Sequence, residues 1–358
     1  MRKPTLQDVA HVAGVSYATA DRVLNMRGGV AQKSVDRVHA AIQSLGYERD
    51  LHAANLSRRR MYRFCFVLPK ADHSFFHALR DAVAREQMLR QSDRIIITVI
   101  EVPAFDPDSL AEALESKNII CDCLAVVAIE APRVTTAIAA VRNRGIAVIT
   151  LVSDAAPEMR AAYVGIDNVI AGRTAGRLLR IANATCQGVI LPVLGSMNAR
   201  DHRERLEGAN AVLTREEPAM RLLPALSVED RPDLMRALAG KALSENPDVT
   251  GIYSIGAGNR GLLDLLQEMP TPRPFVVLHE LTPTSRSGLE LGLVDAVIDQ
   301  KPAQEITLAI DVMKAIADGR DWRDPARDIT PTIFLKDNLP VAEMALAKVA
   351  ATTFERMA

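Results

Sequence analysis

Two series of short apolar runs, separated by longer amphipathic segments, fill most of this 358-residue chain. The first series is Phe64 to Leu68, Ile95 to Ile100, Leu124 to Ala128, Ala147 to Leu151 and Tyr163 to Gly165. The second is Gly188 to Leu194, Leu222 to Ala225, Gly251 to Ile255, Phe275 to Leu278 and Ala296 to Ile298. Runs of this length read as strands, and the segments starting near Phe75, Ser109, Arg133 and Asn168 read as helices. Such alternation predicts parallel α/β layers, with ligands at the carboxyl ends of the strands. Two series predict two lobes and a cleft, and at 48% hydrophobic residues the chain can fill both cores.

The stretch from Thr5 to Asn25 has a different period. Leu6, Val9, Ala10 and Ala13 form one helical stripe, and Thr5 with Asp8 reads as a capping box in which Asp replaces the usual Glu or Gln. Gly14 breaks the stripe. Ser16 is placed to cap a second helix that turns Ala20, Val23 and Leu24 inward and leaves Tyr17, Ala18, Asp21 and Arg22 outward near its start. A third stripe, Val35, Val38, Ile42 and Leu45, ends at Gly46. The pattern fits a helix-turn-helix, which would lay the start of its second helix in a DNA major groove, and equally an ordinary helical hairpin. Charge favours DNA: residues 1–60 hold ten Lys or Arg against five acids, in a chain whose net charge is −1.

The residues from Thr5 to Leu56 resemble the DNA-binding head of the lactose and galactose repressor (LacI/GalR) family. The resemblance is carried by Asp8-Val9-Ala10, Ala13-Gly14-Val15-Ser16, Arg22-Val23-Leu24-Asn25, Val38 with Ile42, Leu45-Gly46-Tyr47 and Asn55-Leu56. It implies a DNA-contact set of Thr5, Ser16, Tyr17, Ala18, Thr19, Asp21, Arg22 and Asn25. It also implies a hinge helix after Tyr47 that forms when two subunits share an operator, with Leu56 wedged into the central minor groove. Arg58, Arg59 and Arg60 follow, available to phosphates. Two departures bear on this head. Asp21 stands where most members have Ser, which leaves the half-site sequence open, and Ala31 replaces the serine that caps the third helix, a role Gln32 or Ser34 would have to fill.

Met61 to about Pro340 resembles the periplasmic-sugar-binding-protein-like effector domain of the same family, in the branch nearest ribose-type binding proteins. The matching pieces are Leu68-Pro69 with Ser74-Phe75-Phe76, Leu151 to Asp154, Val164 to Asn168 with Ala171-Gly172, Arg205 to Gly208, His279 to Thr282, and Asp299-Gln300 ahead of Pro302. The implied fold is an all-α helix-turn-helix head (1–48), a hinge (49–60) and a two-lobed α/β periplasmic-binding-protein-like (type I) domain (61–340), with a tail over 341–358. Lobe 1 is expected over about 61–165 and 296–325, lobe 2 over 166–295 and 326–340. The implied effector set is Phe75, Phe76, Asp154, Asn168, Arg205, Asn259, Glu280 and Gln300. Planar polar groups suit vicinal hydroxyls, and an aromatic face suits sugar C–H surfaces. The chain departs from the family at Gly256 to Asn259, where sugar binders carry an Asn-Asp pair; Asn259 or His279 is expected to compensate. Arg200, Arg203, Arg205 and Arg260 would tolerate a phosphorylated or acidic sugar.

One motif points elsewhere. Gly256-x-Gly258-x-x-Gly261 follows a predicted strand, opens a helix and precedes Glu280 by about twenty residues, which meets the dinucleotide-binding fingerprint on paper. Its reading would be a DNA-binding redox sensor for NAD(H), although the motif lies deeper in the chain than a minimal cofactor domain needs. Otherwise no cofactor is expected. No G-x-S-x-G elbow, metal-spaced histidine pair or P-loop is present, and Asp201 beside His202 reads as a helix-end pair, so an enzyme is not expected. Cys65, Cys121, Cys123 and Cys186 read as reduced thiols. No apolar run approaches membrane-spanning length and the N-terminus enters a polar helix rather than a signal peptide, so a cytoplasmic location without membrane contact is expected. The resemblance as a whole implies a repressor, homodimeric on a pseudo-palindromic double-stranded DNA operator and controlled by a sugar or polyol. The dimer face would involve the helix from Phe75 to Arg90, and the tail lacks a leucine heptad that would suggest a tetramer.

Overall fold

The computed structural model describes residues 4–24, 28–47, 60–70, 74–184, 187–215, 219–256, 258–323 and 328–341. It divides into two compact units, Met1–Met61 and Tyr62–Ala358.

In the first unit α1 (Leu6–Ala13), α2 (Tyr17–Leu24) and α3 (Gln32–Leu45) enclose a small core of Val9, Ala10, Ala13, Ala20, Val23, Val38 and Ala41. The capping box at Thr5 is complete: Asp8 N–H donates to Thr5 Oγ1 at 3.3 Å, and Thr5 N–H donates to Asp8 Oδ2 at 2.8 Å. Gly14 ends α1 at φ 61°, a left-handed turn that glycine adopts without strain. Ser16 Oγ then accepts from Thr19 N–H at 3.1 Å to open α2. The cap expected from Gln32 or Ser34 is not made at the start of α3; Gln32 Nε2 donates instead to Asp36 Oδ1 at 2.9 Å, and the first turn stands without a side-chain cap.

The second unit contains two sheets. In the first, β1 (Tyr62–Lys70), β2 (Ile95–Pro103), β3 (Cys123–Val126), β4 (Ala147–Leu151) and β5 (Ala162–Val164) run parallel in the order β2-β1-β3-β4-β5. Helices α4 (Ser74–Leu89), α5 (Pro107–Glu115) and α6 (Pro132–Asn143) connect them. Burial on both faces explains the continuous apolar runs: Phe64 and Phe66 face one layer of the core, Cys65 and Val67 the other. Burial lifts the Cys65 and Cys121 thiols to about 11 and about 12, so both stay protonated; Cys186 lies outside the described residues.

The second sheet is built from β6 (Val189–Leu194), β7 (Arg221–Leu222), β8 (Leu226–Ser227), β9 (Gly251–Ser254), β10 (Phe275–His279), β11 (Ala296–Asp299) and β12 (Thr332–Phe334). Its order is β12-β11-β10-β9-β6-β7, with β8 also on β6 and only β12 antiparallel. The run expected as one strand over Leu222 to Ala225 is split into β7 and β8 around Pro224, which has no N–H to give a ladder. Helices α7 (Asn168–Ala182), α8 (Arg200–Leu213), α9 (Pro232–Glu245), α10 (Asn259–Glu268) and α11 (Pro283–Glu290) cover this sheet. The return to the first lobe, expected at about 296, comes later. Ala296–Asp299 pairs with β10 and β12, and α12 (Pro302–Ala317) is the segment that packs back onto α4 and the first sheet. The chain therefore crosses between the lobes after β5, after β11 and after α12.

Small residues bring α7 and α8 into close contact. A Cβ on Gly172 would lie 1.9 Å from the carbonyl oxygen of Arg205, and one on Gly208 would lie 2.2 Å from that of Val169. Both clashes are with backbone, so neither helix can accept a methyl without separating. Gly172→Ala is expected to cost about 2 kcal/mol or more in urea unfolding, the scale of an overpacked core. Gly240→Ala on α9, where a Cβ would sit 3.6 Å from Leu265 Cδ1, is the control and should be neutral or stabilising.

Candidate functional site

The carboxyl ends of the two sheets face a shared cleft holding about 640 Å³ of empty space, part of it open to solvent. The first lobe contributes an apolar wall: Phe75 and Phe76 from α4, Phe105 after β2, Val127 to Ile129 after β3, and Val152 with Ser153 after β4. The second lobe contributes polar groups: Asp201, His202 and Arg205 from α8, Asp230 after β8, Glu280 after β10 and Gln300 after β11. Phe105, Val152, Asp230 and Glu280 all have left-handed backbones, φ 56°, 65°, 57° and 66°. This conformation costs a non-glycine residue about 1–2 kcal/mol, so strain is concentrated where strands end and the wall begins.

Arg205 is the centre of the polar side. It is 2% exposed, and its Nε donates to Asn168 Oδ1 at 2.8 Å. One terminal nitrogen reaches Ile255 O at 3.3 Å and Glu280 Oε1 at 3.4 Å; the other reaches Gln300 Oε1 at 3.3 Å. Gln300 Nε2 in turn donates to Glu280 Oε1 at 2.6 Å. Asn168 is steadied by Tyr163, whose hydroxyl accepts from Asn168 Nδ2 at 3.2 Å and donates toward Val152 O and Ile166 O. Asn168 opens the segment after the first crossover and Gln300 lies in the second, so the guanidinium ties together two of the three strands of chain that join the lobes.

Of the residues singled out in the sequence, Phe75, Phe76, Arg205, Glu280 and Gln300 come together on the cleft wall. The other three do not line it. Asp154 is held in a two-point ion pair with Arg160 at 2.6 and 2.7 Å and accepts from Thr150 Oγ1 at 2.5 Å, a clamp between β4 and the loop after it. Asn168 stands behind Arg205. Asn259 accepts from Ser254 Oγ at 2.7 Å and faces a larger outer cavity of about 1100 Å³ that meets the inner cleft at Ala104 and Asp230. His279, the other candidate to replace the missing aspartate, is buried against the Tyr253 hydroxyl at 2.8 Å, and burial with nearby Arg205 keeps it neutral. Arg200 and Arg203 turn to the rim: Arg200 bonds Glu204 at 2.6 Å and Ala155 O at 3.2 Å, and Arg203 pairs with Glu130. The sequence reading missed Phe105, Asp230 and the inward face of His202, which sit in no motif. A Cβ on Gly195 would strike Asp230 Oδ1, Phe105 Cζ and His202 Cε1 within 2.9 Å, so these three converge on one bare stretch of backbone.

The glycines of Gly256-x-Gly258-x-x-Gly261 are accounted for by packing. A Cβ on Gly256 would meet Gly195 N at 2.9 Å, Gly258 takes φ 83° to enter α10, and Gly261 lies so close to α9 that a Cβ would be 1.9 Å from Pro232 O. Glu280, the acid of that fingerprint, is engaged by Arg205 and Gln300.

On the first unit, Tyr17, Ala18 and Arg22 are exposed along α2, Tyr17 by 54%. Ser16 and Thr19 share a 2.8 Å hydroxyl contact, Asp21 is half-buried, and Thr5 is occupied in its cap. Asn25, Leu56, Arg58 and Arg59 lie outside the described residues.

A family model for the periplasmic binding protein domain matches residues 64–321, and one for bacterial regulatory proteins, lacI family, matches residues 5–50. The chain belongs to the lacI family of bacterial regulatory proteins, with a periplasmic binding protein domain behind its head. The HTH-type transcriptional regulator DegA of Bacillus subtilis is 24% identical over 247 residues, 68% of this chain and 71% of that protein. The sucrose operon repressor of Streptococcus mutans is 31% identical over 114 residues, 32% of this chain, and the match spans 35% of that repressor's length. In fold the chain is similar to the crystal structure of GanP, a glucose-galactose binding protein from Geobacillus stearothermophilus, with a TM-score of 0.70, 21% identity, and coverage of 79% of this chain and 100% of that one. Among the described residues no helix is long and apolar enough to cross a membrane.

Two acids in the second unit are strongly affected by burial. Desolvation lifts Glu280 from 4.5 to about 8 against the pull of Arg205, and it lifts Glu305 on α12, whose two carboxyl oxygens have no hydrogen-bond partner, well above its ordinary value. Both groups hold protons in the fold that they release on unfolding, so each contribution is fully present below about pH 4.5 and is lost as pH rises, that of Glu280 through about 8 and that of Glu305 through its own raised value. Glu305→Gln, which keeps shape and removes the ionisation, should flatten this decline and leave the protein at least as stable as wild type at pH 8. Urea midpoints at pH 5 and pH 8 check it, and an unchanged difference between the two would contradict a neutral buried Glu305.

Proposed function

We propose that this chain is a transcriptional repressor that binds a pseudo-palindromic operator as a homodimer and whose grip on DNA is set by a small sugar or polyol in the cleft. The observation that carries this reading is the joining of a helix-turn-helix head to a cleft whose buried arginine is tied to two interlobe crossovers. Ligand can shift such a protein only by binding the DNA-competent and DNA-incompetent states differently. Contacts at Arg205, Glu280 and Gln300 have that property, since closing or opening the lobes changes what surrounds them. On the DNA side, Tyr17, Ala18 and Arg22 are the base-reading candidates, Ser16, Thr19 and Asp21 flank them, and Thr5 and Asn25 would position the helix. Leu56 would wedge the minor groove.

A second copy is supported by apolar side chains left open on the first lobe: Met88 and Leu89 at the end of α4, and Ile96 and Val99 on edge strand β2. We read the cleft as a binding site and not a catalytic one. His202 Nδ1 accepts from Ser196 N–H at 3.3 Å, and its Nε2 lies 3.8 Å from Asp201, too far for a working acid-base pair. A DNA-binding regulator of this kind would work in the cytoplasm.

Selection of bound duplexes from a random pool is expected to return an inverted repeat. Arg22→Ala and Tyr17→Ala should each lose about 1–3 kcal/mol of discrimination at one position of each half-site. Leu56→Ala should reduce DNA bending. Failure to enrich any repeat would sink the operator reading.

A further inference from the structure

The charge balance of the cleft says more about its ligand. Arg205 is the sole lysine or arginine among the lining residues, and Asp201, Asp230 and Glu280 oppose it. Glu280 answers Arg205 directly, at 3.4 Å. Asp201, 6% exposed, has the His202 ring at 3.8 Å and shares the field of Arg205 with Glu280. Two further polar atoms on the wall wait for a partner. Ser153 Oγ and Glu280 Oε2 make no hydrogen bond, on residues 2% and 6% exposed. Buried polar atoms of this kind cost about 1–3 kcal/mol each when left unmade, so a ligand that supplies donors to them is favoured. Acceptors therefore outnumber cations on the polar side. The opposite wall is aromatic, and ring faces attract cations. Arg200 and Arg203, the basic groups that would suit an anion, are committed to Glu204 and Glu130 at the rim.

We infer that the effector is a hydroxylated organic cation, an amino sugar or amino polyol, whose ammonium group is held by Asp201 and Glu280 and whose hydroxyls meet Ser153 and Arg205. Three of the contacts follow from unmet capacity. An ammonium brings three N–H donors to Asp201 and to Glu280, whose carboxyl is protonated before the ligand binds and gives its proton to solvent when the cation takes its place. A hydroxyl satisfies Ser153, and Arg205 makes four of the bonds its five N–H groups allow. A neutral sugar would leave Arg205 as the one cation shared among Asp201, Asp230 and Glu280 on the cleft lining. A phosphorylated or acidic sugar would add negative charge to it. The inference rests on reading the cleft as the effector site.

The test uses the full chain and matched sets at pH 7: D-glucosamine, D-glucose and N-acetyl-D-glucosamine, the galacto and manno equivalents, and 1-amino-1-deoxy-D-glucitol with D-glucitol. Thermal shift and titration calorimetry read binding, and operator affinity is measured with each hit. At least one amine is expected to raise Tm and bind tenfold or more tighter than its neutral and N-acetyl partners. Asp201→Asn should reduce that preference about tenfold, and Glu280→Gln provides the same readout if the first variant unfolds. Neutral members binding as tightly as amines, or no amine binding at all, overturns the inference. Neutral hits that shift operator affinity would leave the effector reading intact while removing the amine. Amine hits with no effect on operator affinity would do the reverse.

Discussion

The second lobe is arranged around one buried charge. A guanidinium taken from water costs several kcal/mol unless its donors are matched, and Arg205 is matched by groups that no single element could supply. Asn168 comes from the start of α7, Ile255 O from the end of β9, Glu280 from the end of β10 and Gln300 from the segment after β11. Each of these must reach its position for the charge to be tolerated at all. The requirement fixes the strand ends relative to one another, and it holds α8 at the close approach to α7 that Gly172 and Gly208 permit.

Helix α8 also carries the other end of the coupling. Arg200 and Arg203 lie at its start and reach across the cleft, to Ala155 O and Glu130, while Asn198 O just ahead of it accepts from Glu130 N–H at 3.1 Å. Arg205, less than two turns further along, faces inward. A displacement of this helix would therefore change rim ties and ligand contacts together. Packed interfaces shift between alternatives more readily than they deform, so a change at one end of this helix is felt at the other.

Much of this was legible in the sequence, and the reasons differ by element. Strands buried on both faces announce themselves as unbroken apolar runs, so β1, β3, β4, β6 and β9 to β11 were readable, and edge strand β2 was readable because its open face is apolar too, whereas β7 and β8 were blurred by a proline between two-residue strands. The capping box at Thr5 and the turn at Gly14 are local chemistry and were readable for the same reason. Phe75, Phe76, Arg205, Glu280 and Gln300 were reached through family resemblance, and they meet in space although 225 positions separate the first from the last. An acid after a strand looks the same whether it faces a ligand or an arginine six residues on, and Asp154 faces the arginine. Phe105 and Asp230 carried no signal. Their inward direction depends on left-handed backbone at residues that give no hint of it, and His202 is aimed by a backbone N–H six residues away.

Those left-handed positions set stability against use. At Phe105, Val152, Asp230 and Glu280 glycine would relax the backbone, yet each replacement removes part of the wall that defines the cleft. Val152 is held by the core and Glu280 by Arg205, so the freedom to trade shape for strain lies at Phe105 and Asp230, and a population selected there for hardiness alone would lose its ability to sense.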